Sequence, residues 1–232
     1  MVCNTGISMV PSIDGKTYHF ESRGLYDGVS VLWDEETESL WHHITGEALT
    51  GPLAGAVMPI FNLLQMTTEM ALERYPDIEV AISDRPLRQD GTVRSVDRDF
   101  DLRPEFTETM AEEDTRRPTM EIGVGLWNDD LRVYYPVSSI RDAGKVVVDE
   151  LGADGNVVIY LDPGTGAPLA FHTSATRAVW NDDVLELDDG TSLRAGVLVD
   201  GNGDPIHPTR PLQLFTRWYG WALMFPDTEI RG

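Results

Sequence analysis

Apolar and polar positions along this chain fall mostly into short runs of strand character. Ile122 to Leu126 and Leu131 to Tyr135 flank Asn128-Asp129-Asp130, which predicts a hairpin within residues 120–137. Two β-branched runs, Lys145 to Leu151 and Asn156 to Leu161, are separated by Gly152-Ala153-Asp154-Gly155, a second hairpin signal. Asp162-Pro163-Gly164 ends the latter run. Val184 to Leu187 pairs with Ser192 to Val199 across Asp188-Asp189-Gly190, and Thr17 to Glu21 and Val29 to Trp33 read as strands near the start. Two stretches carry a helix-like apolar pattern, Phe61 to Arg74 and Leu214 to Met224; Pro76 and Pro226 end them. The expected fold class is α+β, mainly antiparallel β.

The chain also echoes itself. Tyr75-Pro76-Asp77-Ile78-Glu79-Val80 recurs as Phe225-Pro226-Asp227-Thr228-Glu229-Ile230, each copy after a helix-like stretch. Glu35-Glu36-Thr37-Glu38-Ser39-Leu40 recurs as Asp188-Asp189-Gly190-Thr191-Ser192-Leu193, and Asn4-Thr5-Gly6 as Gly164-Thr165-Gly166. Three echoes in the same order predict an internal duplication: two pseudo-equivalent β-rich lobes, each closing with a helix. The expected organisation is a first lobe over 1–82, a connector over 83–119 dense in Asp, Glu and Arg, and a second lobe over 120–232. A connector of that length is expected to be ordered by packing across the lobes, because long structureless loops are uncommon in compact domains.

Charge changes the picture of partners. The 232 residues hold 39 Asp plus Glu against 18 Lys plus Arg, a formal net charge of -21 and a pI near 4.4. Nucleic-acid binding rests on clustered basic residues, so nucleic acid is excluded as a partner, and anionic lipid is repelled for the same reason. Lys occurs only at positions 16 and 145. A surface so acidic and poor in Lys is what concentrated salt would keep soluble, by screening its self-repulsion; a genome favouring Arg over Lys explains the same bias. No apolar run reaches the roughly 20 residues of a membrane helix. Residues 1–11 lack a basic segment and a long apolar core, so the expectation is a soluble, cytoplasmic protein, unless a targeting segment lies upstream.

Leu40-Trp41, Thr45-Gly46-Glu47-Ala48, Gly51-Pro52-Leu53-Ala54-Gly55, Val133-Tyr134-Tyr135-Pro136 and the closing Phe225-Pro226-Asp227-Thr228-Glu229 together resemble the signature of DUF3179, a bacterial and archaeal family of unknown function. The resemblance spans most of both halves and implies fold and repeat, with no activity to carry over. It also implies a Cys-x-x-Cys pair after a strand. Here Cys3 holds the first position, Gly6 stands at the second, and the matching turn from Pro163 to Gly166 has no cysteine.

Cys3, the sole cysteine, is the first candidate for chemistry: a thiolate is a nucleophile and a soft-metal ligand, whereas a buried thiol is an inert small hydrophobe. Without a second thiol, a dithiol redox cycle is disfavoured. His42 and His43 follow as partners for it, as ligands or as a base; adjacent strand positions point to opposite faces, so one of the two is expected to join a site. Asp200-Gly201-Asn202-Gly203-Asp204 begins like a calcium loop but has Pro205 at the sixth position and Pro211 at the twelfth, so an Asx turn is expected. Trp41, Trp218, Tyr219 and Trp221 are candidate ligand contacts, although Trp218 and Trp221 share a helix face that more often belongs to a core.

These readings favour small-molecule or soft-metal binding, with or without catalysis, at a Cys3, His42 and His43 site in the first lobe. A transition metal such as copper or zinc is the expected cofactor class. Two alternatives stand beside it: a non-catalytic structural or interaction module with Cys3 buried, and a cysteine-nucleophile hydrolase or transferase, which needs a further group to orient the histidine.

Overall fold

A computed structural model describes residues 6–80, 82, 102 and 104–232. The N-terminal part contains β1 (Ile7–Met9), β2 (Ser12–Ile13), β3 (Lys16–Thr17), β4 (Phe20–Tyr26), β5 (Val29–Asp34), β6 (Leu40–His42), β7 (Ala48–Thr50), β8 (Ile60–Asn62) and α1 (Thr68–Arg74). A short α2 (Pro104–Thr107) leads to β9 (Ile122–Trp127), β10 (Arg132–Pro136), α3 (Val137–Asp142), β11 (Val146–Glu150), β12 (Asn156–Leu161) and β13 (Pro168–His172). The chain ends with β14 (Ala178–Asn181), β15 (Val184–Leu187), β16 (Ser192–Arg194), β17 (Val197–Val199), β18 (Pro205–Ile206), β19 (Leu212–Arg217), α4 (Trp218–Met224) and β20 (Glu229–Ile230).

The fold is β-rich α+β, and among the described residues the strand pairings are antiparallel except for β10 with β20. Two meanders dominate, β4-β5-β6-β7 and β14-β15-β16-β17-β18. Tight turns drive them. Asp27-Gly28 joins β4 to β5 with φ of 47° and 70°, and Ala195-Gly196 joins β16 to β17 with φ of 47° and 77°. Two successive left-handed residues match the twist of the flanking strands. Between the meanders sit the sheets β19-β9-β10-β20 and β11-β12-β13. The main core lies there, around Val124, Leu126, Tyr135, Ile140, Val157 and Ile159, all fully buried.

A second core joins the N-terminal meander to the C-terminal helix. Ile44 is fully buried in one cluster with Trp127, Tyr134, Trp218 and Trp221. Two glycines of β9 make this packing possible: a Cβ at Gly125 would strike the Trp221 ring, and one at Gly123 the Tyr134 ring. Residues 104–119 cross between parts of the molecule. Thr109 Oγ1 accepts from Gly28 N at 3.0 Å and Asp27 Oδ1 from Ala111 N at 2.9 Å, while Arg116 donates to the carbonyls of Pro226 and Thr228. This stretch thus bonds both to the β4–β5 turn and to the segment after α4; of the expected connector, residues 83–101 and 103 lie outside the described residues.

The two predicted helices are shorter than their apolar patterns. Ile60–Asn62 is a strand paired with β1, and Leu212–Arg217 is a strand paired with β9. Each helix begins only at Thr68 or Trp218. A short apolar run fits strand and helix alike until its partner is known. Ser192 to Val199 likewise divides at Ala195-Gly196 into two strands. The two helices nevertheless end alike. Tyr75 and Phe225 both adopt φ -133°, with ψ of 78° and 74°, and donate to the carbonyls of Ala71 and Trp221. Their own carbonyls accept from Ile78 N and Thr228 N, each at 3.0 Å.

Candidate functional site

Three strand-to-strand turns share one construction, and one of them carries the histidine pair. At the end of β5, Asp34 Oδ1 accepts from Thr37 N at 2.6 Å, and Glu38 N returns to Asp34 O at 3.0 Å. After β12, Asp162 Oδ1 accepts from Gly164 N at 3.1 Å, Thr165 N at 2.9 Å and Thr165 Oγ1 at 3.0 Å, and Gly166 N returns to Asp162 O at 2.7 Å. After β6 the residue in this place is His42. Its Nδ1 accepts from Ile44 N and Thr45 N, both at 3.2 Å, and Gly46 N returns to His42 O at 3.0 Å. The fifth residue of each turn is left-handed: Glu38, Gly46 and Gly166 have φ of 61°, 70° and 68°.

The imidazole of His42 therefore does the work of a turn-capping carboxylate. With Nδ1 accepting two amide hydrogens, the ring proton sits on Nε2. Burial, reinforced by the neighbouring His43 and opposed by the Asp27 carboxylate, lowers the His42 pKa to about 4. Burial lowers His43 as well. The two rings stack, with centroids 5.7 Å apart and planes 19° from parallel. This corrects the expectation of opposite faces. Strand β6 ends at His42, so His43 already belongs to the turn, where alternation no longer applies.

His42 lines a cavity of about 190 Å³ with Tyr26, Asp27, Thr45 and Glu47, and Leu223 and Met224 of α4 cover it. A larger cavity of about 700 Å³ lies at the other meander. Its walls include Pro163 to Thr165 of the Asp162 turn and Ala195-Gly196 of the β16–β17 turn, and Met66 and Met70 reach it from the α1 region. Residues of each helix thus line a cavity together with strands from the other end of the chain. Among the described residues no group of three or more His, Cys, Asp or Glu is arranged to hold a metal ion.

Cys3 lies outside the described residues, so its distance to the histidines is not part of this geometry. Trp41, Trp218 and Trp221 are fully buried, Tyr219 is 3% exposed, and none of the four lines either cavity. Trp41 instead donates Nε1 to Asp34 Oδ2 at 2.8 Å, and Trp221 donates to Thr228 Oγ1 at 2.9 Å. Asp200 forms the expected Asx turn, its Oδ1 accepting from Asn202 N and Asp204 N. Tyr26, Asp27, Thr45 and Glu47 were missed by sequence reasoning. The Asp27-Gly28 turn was the available signal for two of them, since it fixes which residues flank the hairpin tip.

A family model described as "Protein of unknown function (DUF3179)" matches residues 1–228. The chain belongs to the DUF3179 family. The segments that carry its signature fall at structurally constrained places in this DUF3179 chain. Trp41 fastens the Asp34 turn, Thr45-Gly46 completes the His42 turn, and Phe225-Pro226-Asp227 follows α4. No curated protein and no solved structure matches the chain. No helix among the described residues is long and apolar enough to cross a membrane.

Proposed function

We propose that this chain is a duplicated small-molecule-binding domain, its two repeats at 1–82 and 120–232 with a connector between them, whose reactive pole combines Cys3 with His42 and His43. The observation that carries the reading is the composition of the larger cavity's wall. There Pro163 to Thr165 and Ala195-Gly196 face one space. The sequence echo pairs Cys3 and Asn4-Thr5-Gly6 with Pro163 and Gly164-Thr165-Gly166, and the second echo pairs the His42 region with Arg194-Ala195. Carried back through the duplication, the Cys3 segment and the His42 turn would share the smaller cavity. The similar ends of α1 and α4 support the same duplication.

The tautomer of His42 favours small-molecule chemistry over metal binding. Copper or zinc binds an imidazole through a nitrogen without a proton, and in His42 that nitrogen is Nδ1, already held by two amides. Nε2–H would instead donate to a Cys3 thiolate or to an oxygen of the ligand. A donated hydrogen bond stabilises the thiolate and lowers the thiol pKa. The test is the pH dependence of Cys3 alkylation by iodoacetamide in the wild type and in His42→Asn, whose amide oxygen keeps the turn capped. We expect a thiol pKa below the ordinary value of about 8.5, with alkylation at pH 7 slowed about fivefold or more in the variant. A thiol of ordinary pKa, or equal rates in the two proteins, overturns the joint site. Metal analysis of the same preparation tests copper and zinc directly.

A further inference from the structure

The larger cavity is a candidate site in its own right, and its lining states what it would accept. Its volume of about 700 Å³ falls in the range of small-molecule sites, about 300–1,000 Å³. The lining is thioether and aliphatic where the α1 region contributes, with Leu64, Met66 and Met70, and the second meander and β13 add Leu169, Trp180 and Val197. Methionine side chains adapt to irregular ligands and make favourable contacts with aromatic rings. Trp180 offers a fixed surface, because its Nε1 donates to the Lys145 carbonyl at 3.3 Å. Gly164 lets Met70 pack against the Asp162 turn: a Cβ there would come within 2.5 Å of Met70 Cε.

The polar groups decide the charge of the ligand. Among the described residues no Lys, Arg or His lines the cavity, and the ionisable side chains that do are Asp162 and Asp183. Asp162 Oδ1 is committed to its own turn, and Asp183 stands exposed at the rim. A phosphate or carboxylate would enter without a counter-charge, in a chain already at -21. An uncharged or cationic ring faces no such penalty, and a cation gains from the Trp180 face.

From this we infer that the cavity between α1 and the second meander binds a flat, apolar small molecule that carries no negative charge. The inference does not rest on Cys3 or the histidines; His42 and His43 do not line this cavity. The probe is N-phenyl-1-naphthylamine, uncharged, compared with 1-anilinonaphthalene-8-sulfonate, a similar ring system bearing a sulfonate. Fluorescence titration of the full chain is expected to give one saturable site for the uncharged dye, with the sulfonate about tenfold weaker or more. Val197→Trp adds a side chain to the wall at a position 40% exposed, and is expected to weaken the uncharged dye about tenfold while leaving the melting midpoint in place. Met70→Lys places a cation in the wall and should reverse the preference toward the sulfonate. Absence of saturable binding, equal affinity for both dyes, or unchanged selectivity in Met70→Lys overturns the inference.

Discussion

Asp34 is a fully buried carboxylate held by donors from its own turn and by Trp41 Nε1 of β6, with no ion pair among the described residues. Burial pushes its pKa up, but the bonds from Trp41 and Thr37, and the Ser39 amide, outweigh burial and keep the pKa below the usual carboxylate value. Asp34→Asn turns one acceptor oxygen into a donor that must face Trp41 Nε1 or Thr37. We expect it to cost about 2–4 kcal/mol in urea denaturation at pH 7; a loss under about 0.5 kcal/mol would show that the turn tolerates the amide. His42 contributes at a different pH. Its folded pKa of about 4 lies below the ordinary 6.5, so between these values the unfolded chain binds more protons. Stability should therefore fall as pH drops from about 6.5 to about 4 and level off below that. In His42→Asn this part of the acid limb should flatten, which denaturation midpoints across the range would reveal. Little of this was legible beforehand. Trp41, His42 and His43 could be singled out by residue type, but Asp34 was one carboxylate among many, since a side chain's bonds within a turn carry no mark in composition.

At the scale of elements, β9 and α4 depend on each other through missing side chains. Gly125→Ala would drive a methyl group into the buried Trp221 ring. The strand is held because β9 is paired on both edges, and the helix because Trp221 is fully buried in one cluster with Ile44, Trp127 and Tyr134. We expect a loss of about 3 kcal/mol or more, read from the chemical denaturation midpoint, and a much smaller effect for an alanine at Gly201, which no side chain approaches. The hairpins were readable because Asx-Gly turns and β-branched runs are local signals; β9–β10 and β11–β12 lie within a residue or so of their expected bounds. The strands β8 and β19 were read as helix. Their strand character comes from β1 and β9, whose paired residues lie 51–55 positions away in the first case, Ile7–Met9 with Ile60–Asn62, and 85–95 in the second, Ile122–Trp127 with Leu212–Arg217.

For the molecule as a whole, charge is the feature that sequence exposes best. A net charge of -21 on 232 residues repels itself, and dissolved salt relieves the repulsion. The thermal midpoint by circular dichroism should rise by several degrees from dilute buffer to molar sodium chloride; an unchanged midpoint would remove the case for adaptation to salt. The echoes of the sequence pointed to similar helix ends, yet they gave no sign of where each helix goes. Met70 reaches strands of the C-terminal part, and Leu223 and Met224 reach those of the N-terminal part. This reciprocal covering makes the chain a natural candidate for splitting. Cut between residues 82 and 104, the two polypeptides would each expose what the other conceals. Expressed singly they should aggregate, and expressed together they should purify as one stoichiometric complex with the melting behaviour of the uncut chain. Two fragments that fold independently and elute apart would show that the exchange of helices is ornament. Reassembly would make this fold a two-part reporter in which the association of two fused proteins is read as the recovery of a single cooperative unfolding transition.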